Sequence, residues 1–231
     1  MALNVNENTH PVPAEVADDI IVGIAQSLRE INRYPDREFT ELREGFADYL
    51  GHGLSRDQIW AANGSNEVLQ HLLLAFAGPG RTAFGFAPTY SMYPLLTRAT
   101  GAQYIAGTRG VDYTIDAADA AAQVAEAQPD IVFLCAPNNP TGTPLRTDVI
   151  EAVYDAADGI VIVDEAYFEF APREERSALT LLPGRERLVV SRTMSKAFAF
   201  AGARVGYLAA DPAVIDALRL VRLPYHLSAL T

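Results

Sequence analysis

Lysine is almost missing from this chain. Its 231 residues hold 18 Lys and Arg together, and Lys196 is the only lysine among them. A guanidinium stays protonated and cannot act as a nucleophile, whereas a lysine of lowered pKa can condense with an aldehyde. Compositional bias accounts for the count equally well, so the lone amine points to chemistry only if its surroundings do. Cysteine is as scarce. Cys135 has no partner for an intrachain disulfide, and its apolar setting reads as a buried small hydrophobe in a reducing compartment. Basic clusters are lacking, and the net charge of −11 with a pI near 4.8 speaks against a nucleic-acid partner. No apolar run reaches the length of a membrane span. The start, Met1-Ala2-Leu3-Asn4-Val5-Asn6-Glu7, lacks the charged-then-apolar plan of a signal peptide, so a cytoplasmic protein with no membrane partner is expected. No metal is expected either.

What is present is a soluble globular composition, 49% hydrophobic and 20% charged. An extended polar arm runs to about residue 13 and contains His10. Ile20, Ile24, Leu28 and Ile31 then recur at helical spacing, which predicts a helix from about Pro13 to Ile31. Asn32-Arg33-Tyr34-Pro35-Asp36 breaks it, and a second helix is predicted from Phe39 to Leu50, closed by Gly51. Short apolar strands follow at 59–62, 82–86, 104–106, 131–135, 160–163, 188–190 and 205–209. Helical stretches at 68–76, 115–127 and 149–157 separate several of them. This alternation predicts an α/β fold of three αβα layers around a mostly parallel sheet. Residues 1–30 are expected to form an arm and helix, and 31–231 one large domain.

In such sheets ligands sit beyond the carboxyl ends of the strands. Ser65, Tyr90, Asn139, Asp164 and Lys196 each follow a predicted strand, so they should converge on one edge. Asp164 ends the apolar run Ile160-Val161-Ile162-Val163. It is either a helix-capping turn residue or a buried carboxylate in need of a cationic partner. Asn139 and Tyr167 could hold a ring oxygen, and Tyr90 could stack on a flat ring. Gly64, Ser65 and Asn66 open a helix whose amides and dipole suit an anion. Thr193, Ser195 and Arg204 add hydroxyls and charge nearby. Each of these also has an ordinary structural reading.

Taken in order, Asn139-Pro140-Thr141-Gly142, Asp164-Glu165-Ala166-Tyr167, Ser195-Lys196 and Arg204 resemble the fold-type I pyridoxal-phosphate aminotransferases. Within them, Asn6-Glu7-Asn8, Asn32-Arg33-Tyr34-Pro35-Asp36, Pro88-Thr89-Tyr90-Ser91-Met92-Tyr93 and the segment Ser191 to Phe198 are similar to histidinol-phosphate aminotransferases. The resemblance implies pyridoxal 5'-phosphate as cofactor. It implies Lys196 as the amine that carries the cofactor and moves a proton, with Asp164 on the pyridine nitrogen and Asn139 and Tyr167 on the ring oxygen. It further implies Tyr90 stacked on the ring, and Gly64, Ser65, Asn66, Thr193, Ser195 and Arg204 around the phosphate. Tyr34 would reach the neighbouring subunit's cofactor in a homodimer. The implied reaction exchanges an amino group between histidinol phosphate and 2-oxoglutarate, giving glutamate. Alternatives are an aromatic amino acid aminotransferase, a threonine-phosphate decarboxylase of the same fold, or a non-catalytic cofactor-binding or dimerisation fragment. The family's small C-terminal domain, with the arginines that grip the substrate's acidic group, has no counterpart in these residues.

Overall fold

The computed structural model describes residues 4–231 of the chain; the first three residues of the expected arm lie outside them. Seven strands form one sheet: β1 (Ile59–Ala62), β2 (Thr82–Ala87), β3 (Gln103–Thr108), β4 (Ile131–Cys135), β5 (Ile160–Asp164), β6 (Leu188–Thr193) and β7 (Gly206–Ala210). Their order is β1-β7-β6-β5-β4-β2-β3. β3, β2, β4, β5 and β6 run parallel, whereas β7 is antiparallel to both β6 and β1.

Among the described residues there are seven α-helices: α1 (Ala14–Ser27), α2 (Thr40–Leu50), α3 (Ser65–Phe76), α4 (Met92–Ala99), α5 (Ala117–Ala127), α6 (Thr147–Ala156) and α7 (Pro212–Val221), of which α2 to α7 flank the sheet. Side chains alternate faces along a strand, so the central strands, with unbroken apolar runs at Ile131–Cys135, 160–163 and 188–190, must be covered on both sides. Two core clusters do this. Val132, Leu134, Val161, Val163 and Val190 pack with Phe46 of α2, Val124 of α5 and Val149 and Val153 of α6. Their strand neighbours Ile131, Phe133, Ile162 and Val189 pack on the other side with Leu69 and Leu72 of α3, Tyr93 of α4 and Ile215 and Leu218 of α7. This is the expected three-layer arrangement.

Local chemistry sets several helix ends. The Asp36 carboxylate accepts from the amides of Glu38 and Thr40 at the start of α2, and those bonds hold its pKa below the ordinary value. Asp116 and Asp211 cap α5 and α7 in the same way, with Pro212 at the first turn of α7. Two points depart from the sequence reading. Helices α4 and α7 were not predicted, whereas α3 starts at Ser65, where Gly64-Ser65-Asn66 was expected to open it. The helix expected to run to Ile31 is α-helical only to Ser27 and then tightens into a 3₁₀ turn, Leu28–Glu30. The periodic residues Ile24, Leu28 and Ile31 stay exposed, because α1 buries none of its residues within this chain.

Candidate active site

The strand ends do converge. Ser65, Asn66, Tyr90, Asn139, Asp164, Tyr167, Thr193, Ser195, Lys196 and Arg204 line one cleft of about 700 Å³ at the carboxyl edge of the parallel strands. A larger, more apolar groove of about 920 Å³, lined by Phe39, Phe46, Tyr49 and Phe198 among others, gathers none of the candidate residues. The reversed direction of β7 explains how Arg204 joins: the residues just before an antiparallel strand fall at the same edge as those just after its parallel neighbours.

Asp164 closes β5 in register with Cys135 of β4 and Ser191 of β6, so the three side chains share the face covered by α3, α4 and α7. Its carboxylate is buried, 3% exposed. Oδ1 accepts from the Ser191 hydroxyl at 3.2 Å and the Ala166 amide at 3.2 Å, and Oδ2 accepts from the Tyr93 hydroxyl at 2.9 Å. No Lys, Arg or His forms an ion pair with it among the described residues. Burial drives its pKa up, and the three hydrogen bonds oppose that rise. Its neighbour Glu165 differs, pairing with Arg192 at 2.8 Å and accepting from Ser177 and the Ala178 amide. The carboxylate that faces the cleft is the one left without a cation.

Lys196 stands across the cleft. Its Nζ donates to the carbonyls of Val5 at 3.0 Å and Asn6 at 3.2 Å, so the N-terminal arm crosses the mouth of the cleft. Asn6 Nδ2 also donates to the Tyr167 hydroxyl at 3.0 Å, and Asn8 Nδ2 to the carbonyls of Lys196 and Ala197. Burial lowers the Lys196 pKa; Glu7 opposes the shift and Arg204 adds to it. Asn139 Nδ2 lies 3.4 Å from the Tyr167 hydroxyl, so both donors aim at one region. The Tyr90 hydroxyl donates to Asn66 Oδ1 at 3.1 Å, which turns its ring edge-on to Tyr93.

At the other end of the cleft, Arg204 Nη1 donates to Ser195 Oγ at 3.2 Å and sits against Gly64. A Cβ on Gly64, which has φ +84°, would meet Arg204 Nη2 at 2.2 Å, so glycine is needed both for the backbone and for the arginine's approach. Gly64 itself is not in the cleft wall, and its amide is spent on the Ala62 carbonyl. The Thr193 hydroxyl accepts from the Ser195 amide at 3.1 Å and so shapes the loop. The first amides of α3 have no intrahelical acceptor. With Arg204 beside them they make a corner whose donors and charge suit an anion. Tyr34 lies outside the cleft, 80% exposed and stacked on Tyr225 with ring centroids 4.5 Å apart.

Sequence reasoning missed the supports. Tyr93 was noted only within the Pro88-to-Tyr93 segment and given no role, although its place on α4, three residues after Tyr90, was a usable signal. Buried Asn138 ties the Asn139 loop to its surroundings: its Oδ1 accepts from Arg109 and Thr89, and its Nδ2 donates to Thr141 and the Pro88 carbonyl.

The chain is similar to known proteins. A family model described as "Aminotransferase class I and II" matches residues 1–231. Histidinol-phosphate aminotransferase of Paenarthrobacter aurescens is 68% identical over 99% of this chain and 62% of its own length. That of Thermobifida fusca is 54% identical, also over 99% of this chain and 62% of its own length. The chain thus spans about 62% of the length of these curated relatives. Among solved structures, a putative histidinol-phosphate aminotransferase from Erwinia carotovora atroseptica superposes with a TM-score of 0.84 at 28% identity. It covers 99% of this chain and 66% of that one. The Sinorhizobium meliloti histidinol-phosphate aminotransferase, solved in complex with pyridoxal-5'-phosphate, shares the fold at a TM-score of 0.86 and 24% identity, covering 97% of this chain and 60% of that one.

Proposed function

The chain belongs to the class I and II aminotransferases, and on that premise we propose that it binds pyridoxal 5'-phosphate and carries transamination of L-histidinol phosphate with 2-oxoglutarate. The observation that carries the cofactor reading is Asp164, a buried carboxylate facing the cleft without a cationic partner. An unpaired buried charge is costly, and a protonated pyridine nitrogen is the cation that fits. The anion-binding corner suits the phosphate at the opposite end. The substrate assignment rests on the names of the relatives above.

When bound, the cofactor supplies an electrophilic carbonyl and an electron sink. The chain's residues do the rest. Lys196 Nζ, its pKa lowered by burial, would hold the cofactor through its aldehyde carbon and, once the substrate's amine displaces it, would take and return the proton at the substrate's Cα. Asp164 would keep the ring nitrogen protonated. Asn139 Nδ2 and the Tyr167 hydroxyl would hold the ring oxygen, and Tyr90 would cover a ring face. Ser65, Asn66, Ser195 and Arg204 would hold the phosphate, with Gly64 and Thr193 shaping that corner. Residues 31–231 act as the cofactor-binding large domain, with 1–30 as arm and helix. The protein works as a cytoplasmic homodimer in which Tyr34, free of its own cleft, reaches the neighbouring one.

The test is a visible spectrum of the purified chain with added pyridoxal phosphate, followed by L-histidinol phosphate. A band that forms, is absent in Lys196→Ala, and bleaches with substrate supports the whole reading. A band that forms but ignores substrate leaves a cofactor-binding fragment. No band in the parent chain overturns the cofactor assignment.

A further inference from the structure

Tyr93 touches Asp164 but does not line the cleft. It is fully buried, and its ring is stacked flat on Phe133, with centroids 4.5 Å apart and planes 4° apart. Edge-on contact with Tyr90 at 5.4 Å confines it from another side. A tyrosine hydroxyl removed from water needs an acceptor, and the acceptor here is Asp164 Oδ2 at 2.9 Å. That bond is shorter than either of the other two that Asp164 accepts, both at 3.2 Å. The donor cannot swing away, because its ring is clamped on both sides. An ionised carboxylate offers about four lone-pair sites. Donors from α4, from β6 and from the backbone after β5 occupy three of them, and the cleft is open to the rest.

We propose that Tyr93 is a positioning residue. It fixes the orientation of the Asp164 carboxylate and keeps it a weak enough base that a proton shared with a heterocyclic nitrogen in the cleft stays on the ring. The inference rests on the cofactor reading above. Its physical basis is that a hydrogen bond donated to the charged form of a carboxylate favours that form. Without the hydroxyl, Oδ2 turns more basic and draws the proton back from the ring. Cys135, Glu165, Tyr90 and Tyr167 are the other titratable groups near Asp164. The Cys135 thiol is kept neutral by burial, which pushes its pKa up to about 12, and Glu165 is committed to Arg192. The Tyr90 hydroxyl donates to Asn66, and the Tyr167 hydroxyl accepts from Asn6. None of the four replaces the Tyr93 donor.

Tyr93→Phe retains the ring and its stack on Phe133 and removes only the donor. Pyridoxal phosphate labelled with ¹⁵N in the ring reports the protonation of that nitrogen directly by NMR. The resonance of the bound label should move from a pyridinium position in the parent toward that of neutral pyridine in Tyr93→Phe. Cofactor affinity should fall by about tenfold, as expected for a hydrogen bond to a charged group. The analogue carrying C–H in place of the ring nitrogen should lose no affinity through the substitution. Tyr93→3-fluorotyrosine, a stronger donor of nearly the same shape, should shift the resonance the opposite way and decides the matter if Tyr93→Phe fails to fold. An unchanged ¹⁵N position in variants that still form the Lys196-dependent band would overturn the proposal. So would equal losses for the cofactor and the carbon analogue, which would make Tyr93 a structural support only. Failure of the parent chain to form the band would instead sink the cofactor reading, and this inference with it.

Discussion

A Cβ placed on Gly206 would lie 2.2 Å from the amide nitrogen of Ser65. The first residue of β7 therefore runs directly against the first turn of α3, with no room for any side chain. The obstacle is backbone, which cannot rotate aside. Gly206→Ala should displace the anion-binding corner. Titration with pyridoxal phosphate should show affinity reduced at least tenfold, and chemical denaturation a loss of about 1–3 kcal/mol. Unaltered affinity would show that the close approach is dispensable.

Asp164 should stabilise the site's chemistry at the expense of the empty protein. Burial raises its folded pKa above 3.8, so its contribution to stability is complete below that value and is lost as pH rises through the folded pKa. Asp164→Asn removes the charge. At neutral pH the cofactor-free variant should melt higher, by an amount equivalent to about 1–2 kcal/mol, while binding pyridoxal phosphate more weakly. A lower melting point together with undiminished cofactor binding would show that Asp164 is structural.

His71 supplies a second pH-dependent contribution, remote from the cleft. Its Nδ1 accepts from Trp60 Nε1 at 3.1 Å, and burial lowers its pKa to about 4. Between that value and 6.5 the unfolded chain binds the extra proton, so stability is full above pH 6.5 and declines as pH falls toward 4. The loss approaches about 3 kcal/mol. His71→Gln keeps an acceptor for the indole and should flatten this part of the stability–pH curve. An identical curve would assign the acid sensitivity elsewhere.

The arm should govern access to the lysine. Val5 and Asn6 hold Nζ through their carbonyls, and Asn6 and Asn8 pin the arm to Tyr167 and to the loop after Lys196. Because Lys196 is the only lysine, an amine-reactive reagent followed by peptide mapping reads this one side chain. Asn6→Ala combined with Asn8→Ala should speed its modification several-fold. Equal rates would mean that the arm does not shield it.

The sequence carried the strands and the cleft clearly, because both depend on local signals. Unbroken apolar runs such as Ile160 to Val163 have to be buried on both faces, and polar residues that follow such runs have to gather at one edge. Direction is not written into an apolar run, so nothing in Val205 to Ala209 revealed that β7 is reversed. Helix α4 is short and contains Pro94, which hid its periodicity. The Asp211-Pro212 start of α7 was a legible cap that went unused. The stripe on α1 was read rightly as helical, but periodicity cannot say what a stripe packs against. Tyr93 escaped because its role depends on a contact 71 residues away.

The pairing of β1 with β7 also bears on how the molecule comes together. Among the described residues β1 has no other strand neighbour, and its register joins Ile59 to Ala209, so this edge cannot close until β7, far along the chain, is present. Such distant pairings carry a large loop-closure entropy and form late. During synthesis the strands from β2 to β5 are available to one another well before β7 emerges. Ser65 and Arg204 lie at the two ends of that late closure, so a nascent chain would have its lysine loop before it has the corner that Arg204 completes beside it.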